Sequence, residues 1–572
     1  MLLCLSACAS SPEAKSPHTA VVETIASDVT QMLVAHEGSG IWRITMALPE
    51  PVTEFVFETT PHLPLRERWK ISGEGLRLER RGARDVLVGS VPFKQFSLEV
   101  ASDTRLFPGG YSLSQQLGED DGWLLFTGHF LGGAPGECPG NTQLQPPCAQ
   151  AHPFAFSIVP ASGEHLWVNG EVQTTATRWT TDREEDAATF IYFGKRLPQR
   201  IGPVQWLLPG NFPEWISQAV QEALPEFLQQ FAQGFDQSVD GELQIVMNQT
   251  EGSGSFSASV LGSFIQFEFQ DARWRTPNKQ ALEGLLDTLA HEAAHLWNGG
   301  RFSHDHATGD SWLHEGGATA AASILMRRRG MPDSTFFEQR STQLNECLEY
   351  AQVPLRRLGQ RGLFHLYYSC GALIELVIEG KLRARGLDAF AHWRTMYGAL
   401  EANEYSAATY MDAVVTTTAD TALGEWIGRW RETGLADREE LLHWLRTSGL
   451  RLEAGVSGTD WKAALDVVRP LVKNDCKGGF SISVRQEGMI LHGLDSCAVS
   501  TQDFLVDRLA GYSLPAEVAQ AFAAVQQACG SKGAVEITGR LQGDPAATDI
   551  SSRMYPCEQA PQLLKIVGWQ QP

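Results

Sequence analysis

The sequence predicts a multidomain α+β protein: an N-terminal antiparallel β domain, a mostly helical central domain with a small sheet, and a small C-terminal α/β domain. Three observations carry this. The chain has 572 residues, too many for one hydrophobic core. Its apolar periodicity changes near position 211 from the alternation of strands to the spacing of amphipathic helices. Its last segment, 474–572, returns to mixed strands and holds Cys476, Cys497, Cys529 and Cys557.

Residues 1–8, MLLCLSAC, end in LSAC, which resembles the bacterial lipobox whose cysteine, Cys8 here, becomes lipidated. No Lys or Arg precedes it and the apolar stretch is short, so the expectation is that the recorded start lies inside a longer signal. Residues 9–37 read as a polar tether. From 38 to 205, short runs such as IWRITMAL, EFVFETT, DVLVGSV, FSLEVAS and TFIYFGK alternate and are broken by turn residues, as antiparallel strands are. From 206 to 473 helices dominate. NFPEWISQAVQEALPEFLQQFAQGF is amphipathic with Asn211 or Pro213 near its start, and GELQIVM and SFIQFEF read as strands. Gly330 and Gly386 each follow an arginine-rich last helical turn, the order that helix C-termini prefer. In 474–572 strands surround one helix, PAEVAQAFAAVQQAC.

A formal charge of −21 argues against nucleic acid and anionic membrane surfaces as partners. Membrane contact is expected only through the lipid anchor at Cys8, and no apolar run reaches the roughly eighteen residues of a spanning helix. Setting aside Cys4 and Cys8, eight of the ten cysteines remain. Cys138 and Cys148 could close one Pro/Gly-rich loop, Cys347 and Cys370 lie in helical segments, and the four terminal cysteines allow three pairings. An even, dispersed set without CxxC fits disulfides in an exported protein of the cell envelope rather than a cysteine-based zinc or redox motif.

The chemistry centres on LDTLAHEAAHLWNGG, residues 286–300. His291 and His295 stand one helical turn apart, so their imidazoles leave the same face, as two zinc ligands require. Glu292 lies about 100° round the helix, placed to face a water beside the metal. A third ligand of metzincin type would need Gly at 298 and His at 301, where the chain has Asn298 and Arg301. The helix instead stops at Asn298-Gly299-Gly300, and a second begins near Ser311 with WLHEGGA, whose Glu315 completes a His2Glu site with an open fourth position.

HEAAHLWN followed by WLHEGGATAAASILMRRRG resembles the glycyl aminopeptidase family of gluzincins. It is also similar to the aminopeptidase N family, in which HExxH is followed after eighteen residues by a glutamate within W-x-x-E-G. Here residues 296–314 intervene, one more than in that pattern, which the loop 299–310 can absorb. Both families place a tyrosine three residues before a glycine that opens an apolar helix. YSCGALIELVIE supplies Tyr368 and Gly371, with Cys370 where the families have lysine.

The resemblance covers about 205–460. It implies a thermolysin-like catalytic domain over 206–473 and one Zn2+ per chain on His291, His295 and Glu315. It also implies Glu292 as general base, Tyr368 as hydroxyl donor to the tetrahedral oxyanion, and a peptide or protein substrate. Tyr367 reads as a core residue. Asp287 and Thr319 stand a turn from the ligands and are only geometric candidates to orient them, a solvated or locally capping side chain being the preferred explanation of each. His304, His306 and His314 read as loop or surface residues. The G-x-M-E-N string with which aminopeptidase N enzymes hold a free amine is absent from GSGSFSASVLGSFIQFEFQD, so aminopeptidase and endopeptidase action both stay open. A catalytically inactive zinc-bearing binding lipoprotein is the alternative, against which Glu292 and Tyr368 argue, since neither is needed to hold metal. The last hundred or so residues stand where glycyl aminopeptidase relatives often carry a PDZ domain, without a recognisable carboxylate-binding loop.

Overall fold

The structure, a computed structural model, describes residues 29–58, 66–82, 84–103, 111–118, 122–136, 148–150, 153–181, 188–201, 204–239, 242–249, 255–270, 272–304, 309–476, 481–485, 488–492, 497–499, 503–541, 550–557 and 561–570. Cys8, Cys138 and His306, and the lipobox and most of the tether, lie outside the described residues. The chain divides into two compact units at Leu197/Pro198.

In the first unit, strands run in the order Thr177–Thr181, Phe154–Val159, Thr30–Gly38, Ile41–Phe57, Arg84–Ala101, Lys70–Ser72. A second sheet has the order Glu171–Gln173, His165–Val168, Phe190–Gly194, Trp123–Phe126, Ser114–Gln116. Alternate residues of both sheets, among them Trp42, Ile44 and Leu98 from one and Leu125, Ile191 and Phe193 from the other, fill one core. Thr30–Gly38 corrects the expected tether of 9–37. It is a strand, antiparallel to Ile41–Phe57 and parallel to Phe154–Val159. Met32 and Val34 are buried, an alternation that the preceding polar run concealed.

The second unit begins with strands Gln199–Ile201 and Val204–Leu207, earlier than the expected boundary at 205/206. Val204–Leu207 pairs in parallel with Leu243–Gln249, a contact between residues 39 positions apart that local alternation does not reveal. The sheet order is Gln199–Ile201, Val204–Leu207, Leu243–Gln249, Phe264–Gln270, Ser255–Leu261, with Ser255–Leu261 at one edge. Helix α1 (Glu214–Phe235) follows Pro213 and buries Ile216, Val220, Phe227 and Phe231 in the same core as Ile245 and Phe267 of the sheet.

Eight further helices extend this core: α2 (Lys279–Ala294), α3 (Ser311–Arg328), α4 (Asp333–Glu349), α5 (His365–Ala384), α6 (Ala391–Ala399), α7 (Ala407–Thr418), α8 (Thr421–Thr433) and α9 (Arg438–Thr447). Gly330 and Gly386 follow α3 and α5 at φ +98° and +72°, the left-handed region glycine favours.

A separate core gathers α10 (Trp461–Asp475), α11 (Val518–Lys532) and an antiparallel sheet of strands between Ile482 and Pro556. This core starts before 474, because Val467, Val468 and Leu471 of α10 belong to it. The last strand, Leu564–Trp569, returns instead to pair with Leu450–Ala454 and lie on α4. Among the described residues, disulfides join Cys347–Cys370, Cys476–Cys497 and Cys529–Cys557. No helix among the described residues is long and apolar enough to cross a membrane.

Candidate metal centre

Asn278 caps α2 by accepting a hydrogen bond from the Ala281 N–H at 3.0 Å. The helix buries Leu285, Leu289 and Ala293, which fixes the face on which His291 and His295 emerge. It ends at Ala294, and Gly299 turns the chain at φ +125°. A Cβ at Gly299 would stand 2.6 Å from the His314 ring, so only glycine allows that ring its place. At the start of α3, buried Asp310 accepts two hydrogen bonds of 2.7 Å from the Arg431 guanidinium of α8. This bidentate pair anchors the turn that carries Glu315.

These constraints bring His291, His295 and Glu315 together. His291 Nε2 lies 3.1 Å from His295 Nε2 and 3.2 Å from Glu315 Oε2, and His295 Nε2 lies 3.4 Å from the same oxygen. A tetrahedral zinc site with bonds of about 2.0–2.1 Å has ligand–ligand edges of about 3.3–3.4 Å, which these separations approach. Two imidazoles and one carboxylate are also the donor chemistry that zinc takes at sites with an open position.

The surrounding hydrogen bonds settle which nitrogen each histidine presents. The Asn298 carbonyl accepts from His295 Nδ1 at 3.2 Å, so that nitrogen carries the proton and Nε2 carries the lone pair. The Thr319 hydroxyl donates to the Glu315 carbonyl at 2.8 Å, leaving its oxygen to accept from His291 Nδ1 at 3.3 Å. Thr319 is therefore both a local capping side chain and an orienting one. Asp287 is pushed up by burial against the opposing charges of Arg340 and His291.

Glu292 is 8% exposed, and burial raises its carboxyl against the charges of His291 and His295. Burial acts upward on Glu315 as well, but its hydrogen bonds to both histidines hold that carboxyl well below the ordinary range. Burial lowers His295, and the Glu315 carboxylate more than reverses it, so the imidazole keeps its proton above the usual pH. Tyr368 stacks on His291 with ring centroids 5.5 Å apart and keeps 40% of its surface exposed. Burial, then the charges of Glu315 and Glu292, push its hydroxyl up, so it stands as a donor. Tyr367 is buried, and its hydroxyl accepts from the Gly359 N–H at 2.9 Å.

The reading of His304 and His314 as loop or surface residues is corrected. His304 is buried, with its ring 5.2 Å from that of Tyr405. His314 stacks on His295 at 4.1 Å and bonds Asn298 Oδ1 at 2.8 Å. Asn298, read from sequence only as part of a helix stop, is 2% exposed and joins these groups. Its side chain donates to the His314 carbonyl at 2.8 Å and accepts from the Tyr405 hydroxyl. Its signal was its place, three residues beyond His295, where its own carbonyl orients the ligand.

No family model matches the chain, and no curated protein matches it in sequence. Among solved structures it is similar to an aminopeptidase N family protein from Idiomarina loihiensis, with a TM-score of 0.56 and 12% identity over 95% of this chain and 98% of that one. It is also matched to an M1 zinc metallopeptidase from Deinococcus radiodurans, with a TM-score of 0.40 and 14% identity over 71% of this chain and 93% of that one. The first likeness shows the fold, which is like that of the aminopeptidase N family protein.

Because His295 holds its proton beyond the ordinary imidazole range, a metal must displace that proton to bind. Zinc retention is expected to fall as pH drops through the raised His295 value, while depressed Glu315 stays ionised and does not limit it. Equilibrium dialysis against buffered zinc between about pH 8 and about pH 5 measures this. Retention that is flat across that range would contradict it.

Proposed function

We propose that the chain is an exported zinc-dependent peptidase, with one zinc per chain held by His291, His295 and Glu315. The observation that carries this is the spacing of the three donor atoms, 3.1, 3.2 and 3.4 Å, with Tyr368 stacked beside them. Zinc bound there supplies Lewis acidity toward a scissile carbonyl and a nearby water.

The residues supply the rest. Glu292 directly follows His291 in the chain and its burial disfavours charge, which suits it to take a proton from the attacking water and pass it to the leaving amine. Tyr368 keeps its phenolic proton and donates a hydrogen bond where negative charge develops on the carbonyl oxygen. Asn298 and Thr319 hold the imidazoles so that Nε2 of each faces the common point. The edge strand Ser255–Leu261 packs near α2 and suits an extended peptide bound by main-chain hydrogen bonds. The disulfides among the described residues support export, and lipidation at Cys8 is part of the proposal.

Metal analysis together with hydrolysis of paired peptides, each with a free and an acetylated N-terminus, tests the reading. One zinc per chain with cleavage is the expected result, and the acetylated partners decide between aminopeptidase and endopeptidase. Zinc without cleavage of any peptide would favour a binding protein, and absence of zinc would overturn the reading.

A further inference from the structure

Tyr368 occupies the first turn of α5, where its side chain meets His291 and Glu315 but stays partly open. The ring is 40% exposed and the neighbouring Phe364 is 50% exposed. The helix start has no side-chain cap. What is held firmly is the backbone immediately after it. Ser369 and Cys370 are 3% and 2% exposed, and both are fastened to α4. The Ser369 hydroxyl donates to Glu346 at 2.6 Å, and Cys370 is bonded to Cys347. Two consecutive residues of α4 thus grip two consecutive residues of α5, directly behind the tyrosine.

Helix α4 is itself fixed on its other sides. Buried Arg340 donates to the Ser323 hydroxyl and, at 3.4 Å, to the Thr319 carbonyl of α3, the helix that carries Glu315. Asn345 exchanges two hydrogen bonds of 2.9 Å with the backbone of Leu564, and Ser341 accepts from the Ile566 N–H at 2.8 Å. The helix therefore acts as a splint between the turn bearing Glu315 and the turn bearing Tyr368.

We propose that the Cys347–Cys370 disulfide and the adjoining Glu346–Ser369 hydrogen bond form a clip that positions Tyr368 against His291 for hydrolysis. Glu346, Cys347, Ser369 and Cys370 are positioning residues, remote from the reacting atoms and acting through the phenol. This rests on the proposed peptidase reading.

The test uses the full chain with Cys347→Ala/Cys370→Ala, Glu346→Ala and Glu346→Gln, each also combined with Tyr368→Phe. The disulfide-free variant and Glu346→Ala are expected to bind zinc as wild type does and to keep KM within about twofold. Their kcat should fall by about 10- to 100-fold, the scale of a misplaced transition-state contact. Glu346→Gln, which keeps an oxygen for Ser369, should restore most of it. In the Tyr368→Phe background neither loss should recur, because the group through which the clip acts is gone. Hydrogen–deuterium exchange should quicken over residues 365–371 and stay unchanged over α2.

Undiminished kcat, an equal loss in the Tyr368→Phe background, or unchanged exchange over 365–371 would each overturn the clip. Should the disulfide-free variant fail to fold, the two Glu346 variants decide the matter alone. Absence of zinc, or of any peptide cleavage, in the wild-type chain would instead remove the peptidase reading, and the exchange measurement would still report on the clip.

Discussion

Replacing Glu292 with glutamine is expected to leave one zinc per chain and to lower kcat for peptide hydrolysis by about 10²- to 10⁴-fold, the range that a positioned acid–base group supplies. The substitution keeps the shape of a side chain that is 8% exposed, so the fold and the three donor atoms should survive it. What disappears is the ability to accept a proton, since a neutral amide is no base at neutral pH. KM should change little if the residue does not hold the ground state, which places the loss in the transition state. Zinc analysis, thermal melting and steady-state kinetics on the same preparation separate the outcomes. A lost metal would assign Glu292 to the metal site itself. A kcat within about twofold of wild type would reject it as the base.

Much of this centre is legible in the sequence because its residues obey local periodicities. His291 and His295 follow the helical turn, and Glu315 sits beyond a glycine stop, just after the start of the next helix. The groups that orient them were harder to see. Thr319 is named as a candidate by its place one turn after Glu315, but its contact with His291 spans 28 positions, and Tyr405 meets Asn298 across 107. Such contacts depend on how helices cross, and spacing along the chain carries no record of that. The same physics explains the first strand. Thr30–Gly38 becomes a strand by pairing with Ile41–Phe57 and Phe154–Val159, so its identity is decided largely by partners, one of them more than a hundred residues away. The boundary expected at 473/474 falls in the last turn of α10, whose apolar face turns to the C-terminal core, and a helix pattern alone does not name its partner.

Gly371→Ala should be the most disruptive single-methyl change near the site, because α3 and α5 cross there backbone against backbone. A Cβ on Gly371 would lie 2.2 Å from the Trp312 carbonyl oxygen, and one on Gly316 would lie 2.3 Å from the Gly371 Cα. Neither obstacle is the end of a flexible side chain, so the helices themselves must separate. Overpacking of this kind costs about 1–3 kcal/mol, and more where backbone must move. The displacement would also carry Tyr368, three residues before Gly371, away from Glu315, one residue before Gly316, so kcat should fall by about 100-fold even where the protein stays folded. Gly284→Ala is the matched control. It lies in α2 with nothing within 4 Å of the added methyl, and alanine there should stabilise the chain by about 0.4–1 kcal/mol. Melting temperatures that move in opposite directions, with activity lost only in Gly371→Ala, would show that the glycine is required for close helix approach. Equal behaviour of the two variants would mean that the crossing relaxes freely, and the requirement for a glycine in YSCGA would need another cause.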